Sequence, residues 1–349
     1  MRWESLQLVD EPGGALTEGG LPPALFTQQA VVRHYDTPQF RGMTFYEVHA
    51  RSILNKVPPA SRMAFRWTIN PYRGCSHACV YCFARKTHTY LDLDAGHDFD
   101  SRVVVKVNAA DLLRRELARA SWQGEHVAMG TNVDCYQRAE GRYQLMRGIL
   151  AALRDAANPF SILTKGTLIL RDLDLLQQAA EVTSVGANVS VGFLDHDVWR
   201  GVEPGTPPPE ARLAACRTLN DAGIPCGVLM APVLPYLTDS AGHLDRTVRA
   251  IAEAGARHIV PLVLHLRPGA REWYLSWLAE HHPALVPRYR ELYGRGSYAP
   301  RRYTDQVTRQ VFDLAERYGI AGHHSAASRG ETAAARPAPA DDDGQLTLL

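Results

Sequence analysis

The sequence predicts an α/β fold whose core is a partial barrel of six β/α units. From about residue 64, short β-rich apolar runs alternate with longer stretches of helical spacing. Six such units in a row imply a parallel sheet with right-handed crossovers. Residues 70–75 after the first strand read NPYRGC, which matches no Gly-rich phosphate loop. We therefore expect a partial (β/α)6 TIM-type barrel, with its site at the carboxyl ends of the strands.

Pro and Gly punctuate residues 1–62, which predicts an N-terminal extension of loops and short pieces. The barrel is expected over residues 63–265. Its strands are predicted at 65–70, 126–130, 160–164, 187–193, 227–231 and 258–264. Its helices are predicted at 83–91, 110–120, 141–155, 171–180, 209–222 and 241–255.

The alternation stops after residue 265. Residues 266–322 are predicted to form a C-terminal helical segment, with helices at 270–294 and 303–319. Residues 323–349 are small, polar and Pro-containing, and this composition predicts a disordered tail.

The composition is that of a globular protein with a sizeable core. The chain has 349 residues, of which 46% are hydrophobic and 21% charged. Its 38 Lys and Arg against 37 Asp and Glu leave a net charge of +1, so no global field recruits nucleic acid or a membrane. No apolar run approaches the ~18 residues of a membrane span, and the start lacks the apolar stretch of a signal peptide. We expect no membrane association and a cytoplasmic location.

The cysteines are unevenly distributed. Of six, three lie together directly after the first strand: Cys75, Cys79 and Cys82. Three thiolates on one short loop can converge on zinc or an iron–sulfur cluster, or the thiols can simply pack in a buried turn. Zinc and a [4Fe–4S] cluster normally take four protein ligands, and His77 within the loop is poorly placed to be the fourth. Three ligands would leave one iron of a cluster open to a substrate or cosubstrate.

Residues 68–85 read TINPYRGCSHACVYCFAR. Cys-x3-Cys-x2-Cys with an aromatic residue before the last Cys, at the end of a first strand, resembles the radical S-adenosylmethionine (SAM) superfamily. The flanking residues look like the branch that contains spore photoproduct lyase and the "DNA repair photolyase" proteins, and the resemblance covers residues 40–265. It implies that Cys75, Cys79 and Cys82 bind three irons of a [4Fe–4S] cluster and that SAM chelates the fourth. It also implies a flavodoxin- or ferredoxin-type electron donor and a 5′-deoxyadenosyl radical that abstracts hydrogen from the substrate.

The resemblance assigns two further strand ends to SAM. On this alignment Asp134 takes the acidic role towards the SAM amino group, with Asn132 as a neighbouring polar contact; capping of the next helix is the alternative for Asp134. Lys165 directly follows the third strand, and the resemblance assigns it to the SAM carboxylate. A solvated lysine at a strand end is the alternative there.

Three more residues complete the expected SAM pocket. Ser190 on the fourth strand matches a SAM-contacting serine of the lyase branch, and its hydroxyl suits a ribose or carboxylate oxygen. Tyr81 and Phe83 flank the last cysteine and could border the adenine, with ordinary packing as their alternative. Cys135 stands where the most similar family pattern has Pro; it is either a hydrogen donor to a substrate radical or a buried structural cysteine.

Two features bear on the substrate. Residues 263–303 hold seven Arg against three acids, interleaved with seven Trp or Tyr. This composition is typical of surfaces that grip phosphates and stack bases, and also of the outer face of a helical hairpin. The terminal residues Gln345, Leu346, Leu348 and Leu349 resemble the peptides with which bacterial repair proteins bind the sliding clamp, a match that short peptides also reach by chance.

Three hypotheses follow. The first is a radical SAM enzyme that acts on nucleic acid, repairing or modifying DNA. The second is a radical SAM enzyme that modifies RNA, protein or a small metabolite. The third is a non-catalytic iron–sulfur protein that senses redox state or serves as a scaffold.

Overall fold

The computed structural model describes residues 7–9, 29–59, 61 and 63–320. The predicted disordered tail at 323–349 and the clamp-like peptide within it lie outside the described residues. The strands are β1 Gln7–Val9, β2 Gln29–Arg33, β3 Thr44–Val48, β4 Leu54–Lys56, β5 Trp67–Ile69, β6 Tyr72–Arg73, β7 Arg102–Lys106, β8 Val127–Met129, β9 Phe160–Thr164, β10 Val185–Ser190, β11 Cys226–Val233 and β12 Ile259–Val263. The helices are α1 His97–Ser101, α2 Ala109–Leu117, α3 Arg138–Tyr143, α4 Leu145–Asp155, α5 Leu173–Val182, α6 His196–Val202, α7 Pro209–Asp221, α8 Ala241–Glu253, α9 Ala270–His281, α10 Val286–Tyr293 and α11 Arg301–Arg317.

The six predicted barrel strands are all present and are parallel. They lie side by side in the order β12-β11-β10-β9-β8-β5, and the short antiparallel strand β4 extends the β5 edge. Each barrel strand thus pairs with the next one along the chain, as right-handed β/α crossovers require. The carboxyl ends of all six strands meet at one edge of the sheet, where the predicted site residues follow. The predicted α/β fold with a partial TIM-type barrel is confirmed.

The helices cover the outer face of this sheet and bury their apolar stripes against it. In α4, for example, Met146, Ile149, Leu150 and Leu153 are buried at helical spacing. The prediction of one helix over 270–294 is wrong: α9 ends at His281, and Pro283 begins a short 3-10 turn before α10. Proline lacks the amide donor that a continuous helix needs. Among the helices described, none combines the length and the apolar composition required to cross a membrane.

A second sheet was not predicted. Its order is β1-β2-β3-β7-β6, and it joins strands of the N-terminal extension to β7, which lies between the cysteine loop and α2. β3 runs parallel to β7 from Thr44↔Arg102 to Val48↔Lys106. β6 pairs with β7 through Tyr72. This sheet therefore supports the chain immediately before the first cysteine.

Candidate functional site

The cysteine loop begins with a glycine that no other residue can replace without strain. Gly74 has φ +83°, and a Cβ there would lie 2.8 Å from the Arg102 carbonyl oxygen. The next residue, Cys75, donates its N–H to the Phe99 carbonyl over 2.9 Å. The first cysteine is thus fixed to the chain that leads into the second sheet.

Two successive turns carry the three cysteines. The Ala78 N–H donates to the Cys75 carbonyl, and the Cys82 N–H donates to the Cys79 carbonyl, both over 3.1 Å. Ala78 adopts φ +53°, a left-handed conformation that lets the chain reverse within the loop. The turns keep the three cysteines on one short segment at the carboxyl end of β5.

Backbone bonds to a neighbouring loop also hold the segment. The Val80 N–H donates to the Val202 carbonyl, and the Gly205 N–H donates to the His77 carbonyl, both over 3.0 Å. Gly205 approaches so closely that a Cβ there would lie 2.0 Å from the Ser76 carbonyl oxygen. The loop after α6 is therefore packed directly against the cysteine loop.

All three cysteines are free thiols. Cys75 and Cys79 are buried, with 7% and 8% of their surface exposed, and Cys82 is half-buried. Burial raises the pKa of each thiol, well above its usual range for Cys75 and to about 12 for Cys79. A bound cation would offset this penalty by favouring the thiolate.

The three thiols also influence one another electrostatically. Each of Cys79 and Cys82 further raises the pKa of Cys75, whose largest shift comes from burial. Among the described residues, no three His, Cys, Asp or Glu side chains are arranged around a single metal ion. The cysteines of a four-iron cluster bind three separate irons and need not meet at one point.

Asp134 joins the cysteine loop to two strand ends. Its Oδ1 accepts the Tyr136 N–H at 2.9 Å and the Thr164 hydroxyl at 2.6 Å. Its Oδ2 accepts the Lys165 N–H at 2.6 Å and lies 3.3 Å from His77 Nδ1. Burial opposes the charged carboxylate, but His77 and these hydrogen bonds outweigh it and lower the pKa of Asp134 to about 2. The residue expected at the SAM amino group is thus an anion with four protein partners.

A buried network of charged groups lies beside the loop. The Lys165 ammonium donates to Ser190 Oγ over 2.9 Å and lies 4.0 Å from Glu203 Oε1. Glu203 accepts hydrogen bonds from the Tyr81 hydroxyl and from Arg212 Nη2. Arg212 Nη1 in turn donates to the Ser190 carbonyl over 3.0 Å. Three side chains from different elements therefore meet at the Glu203 carboxylate.

The network carries more positive than negative charge. It contains the two cations Lys165 and Arg212 and the single carboxylate Glu203. Burial alone would raise the pKa of Glu203, but Arg212 and Lys165 lower it, so the carboxylate is charged. All three act on the pKa of Cys79, which places the network next to the cysteines. Glu203 is paired with Arg212 at closer range than with Lys165, so the Lys165 ammonium is the cation of the network that can pair with an anionic ligand.

The remaining predicted residues differ in burial and in surroundings. Tyr81 is buried and belongs to the network through its hydroxyl, while Asn132 is half-buried two residues before Asp134. Phe83 is half-buried on the outer side of the loop, with its ring 5.7 Å from that of His265. Cys135 is completely buried in the main apolar core.

Sequence reasoning missed Glu203 and Arg212. Both side chains are about 1% exposed, and they lie in a loop and a helix that carry none of the recognised motifs. A signal was present, since Arg212 falls on the apolar face of α7 beside Leu213 and Cys216. A charged residue on a buried face requires a buried partner.

A barrel of this kind, with its polar groups gathered at the carboxyl ends of the strands, has the architecture of an enzyme or cofactor-binding protein. The chain belongs to the radical SAM superfamily, whose sequence model matches residues 69–259. The match includes the cysteine loop, the four strands from β8 to β11, the last residue of β5 and the first residue of β12. The family implies a [4Fe–4S] cluster, SAM and a source of electrons.

Other proteins are similar to this chain in sequence or in fold. An uncharacterized protein of Mycobacterium tuberculosis is 51% identical over 346 residues, covering 99% of this chain and 98% of its own. An uncharacterized protein of Methanocaldococcus jannaschii is 31% identical over 55% of this chain and 69% of its own. A mutant spore photoproduct lyase with bound AdoMet and dinucleoside spore photoproduct has a similar fold, with a TM-score of 0.58 at 17% identity over 88% of this chain and 86% of that chain. Another mutant of that lyase gives a TM-score of 0.56 at 15% identity over 79% and 80%.

Proposed function

We propose that this chain is a radical SAM enzyme of the lyase-like type that acts on nucleic acid, repairing or modifying DNA. The observation that carries the proposal is the placement of three free cysteines on one short loop beside the charged network of Lys165, Glu203 and Arg212. When bound, the cluster supplies the electron that cleaves the SAM sulfonium and so generates the radical that takes hydrogen from the substrate.

Cys75, Cys79 and Cys82 would hold the cluster. Their thiols are free, and backbone hydrogen bonds to the chain on both sides hold the loop that carries them. The buried Asn70 Oδ1 at the same end of β5 has no hydrogen-bond partner in the described part of the chain. The three free thiols and this unpartnered oxygen therefore fit the group that the family implies.

Lys165 and Ser190 would hold the SAM carboxylate. Lys165 is held by Ser190 on one side and lies over the Tyr81 ring at 5.7 Å on the other, so its ammonium is oriented before any ligand arrives. Glu203 neutralises only one of the two cations, so the second remains available to a carboxylate.

The ammonium end of SAM is assigned differently from the sequence expectation. Both oxygens of Asp134 are occupied by protein donors, so we propose that it holds the cysteine loop in place through His77 and that its charge attracts the ammonium from a distance. Asn132 in the same loop remains the proposed direct polar contact. Tyr81 we assign to orienting Glu203 and Lys165, and Phe83 to the rim of the adenine pocket.

The nucleic-acid substrate is supported by two observations. The fold is similar to that of spore photoproduct lyase, a protein solved with a dinucleoside photoproduct. The aromatic and Arg-rich segment 263–303 of this chain lies next to the cysteine loop, since His265 contacts Phe83. The sliding clamp remains a proposed partner through the terminal peptide, and the cytoplasm a proposed location.

An anaerobic turnover assay tests the proposal. The chain is reconstituted with iron and sulfide, reduced with dithionite or flavodoxin, and incubated with SAM and either ultraviolet-damaged DNA, intact DNA or RNA. We expect 5′-deoxyadenosine to form, and DNA to stimulate its formation more than RNA does. If the protein carries a full cluster and forms no 5′-deoxyadenosine, the proposal of an enzyme is refuted and a redox or scaffold protein is favoured. Turnover that no nucleic acid stimulates would refute the substrate class.

A matched pair of variants links the assay to the proposed pocket. Lys165→Met removes the ammonium at nearly constant length, and we expect much weaker SAM binding by equilibrium dialysis with the cluster still loaded. Lys56→Met, on the edge strand β4, provides the control because it lies outside the network. Equal SAM affinity of both variants would contradict the assignment of Lys165.

A further inference from the structure

Most of the Trp and Tyr residues in segment 263–303 are buried in the core. Of its seven Trp and Tyr residues, four are buried with at most 9% of their surface exposed: Tyr274, Trp277, Tyr289 and Tyr293. Tyr303 is half-buried and donates its hydroxyl hydrogen to Asp239. Trp273 is also half-buried, with the Arg85 guanidinium 5.0 Å from its ring. Composition alone therefore overstates the surface available for stacking bases.

Tyr298 is the exception, with 62% of its surface exposed. Its ring lies parallel to that of His265, with centroids 5.8 Å apart and an angle of 20°. A backbone bridge pairs the two residues, and the Leu266 N–H donates to the Ser297 carbonyl over 2.7 Å. The backbone that carries the exposed ring is thus fixed next to the chain that follows β12.

The stack continues to the cysteine loop. His265 lies 5.7 Å from Phe83, the residue directly after Cys82, with an angle of 36° between the rings. We name Phe83, His265 and Tyr298 the aromatic ladder. Burial and the neighbouring Arg267 lower the pKa of His265 to about 4, so the middle ring is a neutral aromatic group near pH 7. The aromatic ladder runs from the cysteine loop to solvent.

The charge around the aromatic ladder is positive. The Arg267 guanidinium donates to the Tyr298 hydroxyl over 3.0 Å and lies 5.5 Å from the Phe83 ring centroid. Along the chain, Arg295 and Arg302 lie three and four residues from Tyr298, while Arg301 lies 3.6 Å from the Asp305 carboxylate. Arg295 and Arg302 are exposed. An exposed ring with an arginine bonded to it and exposed arginines close by in the chain offers a face to a base and positive charge to its phosphates.

We propose that the aromatic ladder is a subsite for one unpaired base of a nucleic-acid strand, which stacks on the exposed face of Tyr298 while Arg267 and its neighbours contact the phosphates. This inference rests on the proposed function, because it places the strand beside the cysteine loop. A base inside a duplex has both faces covered, whereas a base in a single strand or a flipped base has a free face. The aromatic ladder therefore selects single-stranded or locally opened nucleic acid.

The test measures binding of a fluorescent oligonucleotide to the cluster-loaded full-length chain by anisotropy, as a single strand and as a duplex. We expect tighter binding of the single strand. Tyr298→Ala should weaken this binding about 5-fold to 150-fold, the range measured for loss of one base–aromatic stack. Tyr298→Phe keeps the ring and should bind like the unchanged protein. Tyr298→Leu keeps the bulk without the aromatic face and supplies the same test if the Ala variant does not fold.

Two controls separate stacking from charge. Tyr90→Ala removes another exposed tyrosine, 40% exposed at the far end of the 3-10 helix Phe83–Leu91, and should leave binding unchanged. Arg267→Ala should reduce the slope of log affinity against log salt by about 1, whereas Tyr298→Ala should leave the slope unchanged. Equal affinity of Tyr298→Ala and the unchanged protein overturns the proposal. An acidic peptide that binds more tightly than the oligonucleotide also overturns it.

The two proposals fail in different ways. Formation of 5′-deoxyadenosine from SAM, both with and without nucleic acid, is measured on the same preparations. If the unchanged protein forms none, the enzyme proposal fails. If it forms 5′-deoxyadenosine but Tyr298→Ala binds the strand normally, only the aromatic ladder is refuted.

Discussion

Two neighbouring regions of the barrel mouth are held in different ways. The cysteine loop is bound on every side by backbone hydrogen bonds, and two buried carboxylates, Asp134 and Glu203, connect it to the strand ends. In the aromatic ladder a backbone bridge joins His265 to Tyr298, and the outer ring is largely in solvent. Groups that orient a cofactor require fixed positions, whereas groups that meet a polymer require access.

Changes at the cysteines should have the largest effect. Alanine at Cys75, Cys79 or Cys82 removes one of only three cluster ligands, and we expect loss of bound iron and sulfide together with the visible absorption of the cluster. Cys216→Ala removes a buried core thiol that lies outside the loop and should retain full iron content. Full loading in any one of the three loop variants would contradict the ligand assignment.

Breaking the buried ion pair should have the next largest effect. Arg212→Met leaves Glu203 without its main counter-ion, and we expect the free energy of unfolding to fall by about 3–5 kcal/mol in urea titrations. The exposed pair of Arg200 and Asp197 provides the comparison, since Arg200→Met should cost at most about 1 kcal/mol. Equal losses in the free energy of unfolding for the two variants would show that the buried network contributes no more to stability than a surface ion pair does.

Asp134 should give a smaller effect that depends on pH. Its pKa of about 2 lies below the value of an unfolded chain, so the stabilisation is complete above about pH 4 and is lost as pH falls towards about 2. Asp134→Asn should therefore cost about 2 kcal/mol near neutral pH and markedly less at about pH 3. A loss of stability that is the same at both pH values would contradict the charged role of Asp134.

The smallest expected effect is that of pH on oligonucleotide binding at the aromatic ladder. Because burial and Arg267 lower the pKa of His265 to about 4, its ring stays neutral between about pH 5.5 and pH 8. We expect no contribution of His265 to the pH dependence of oligonucleotide binding in that window, and His265→Phe should retain the affinity. A rise in affinity on acidification that His265→Phe abolishes would show that His265 acts as a cation.

The sequence predicted the parts of the site that depend on local pattern. The six barrel strands were predicted because each is a short apolar run bounded by turn residues, and their ends place Lys165 and Ser190 at one edge. The cysteine spacing identified the superfamily without any tertiary information. The N-terminal strands were missed because β3 finds its partner β7 more than fifty residues away, and no local pattern encodes that pairing.

By itself, then, the sequence determined the barrel, the family and the residues that carry recognised motifs. Only the tertiary structure decided that Asp134 is saturated by protein donors, that Glu203 joins Tyr81 to Arg212, and that most aromatic rings of 263–303 are core. The physical reason is that burial and hydrogen-bond partners belong to pairs of residues far apart in the chain. The residue type sets which hydrogen bonds and charges a side chain can offer. Its partners from distant parts of the chain decide which of these remain available to a ligand.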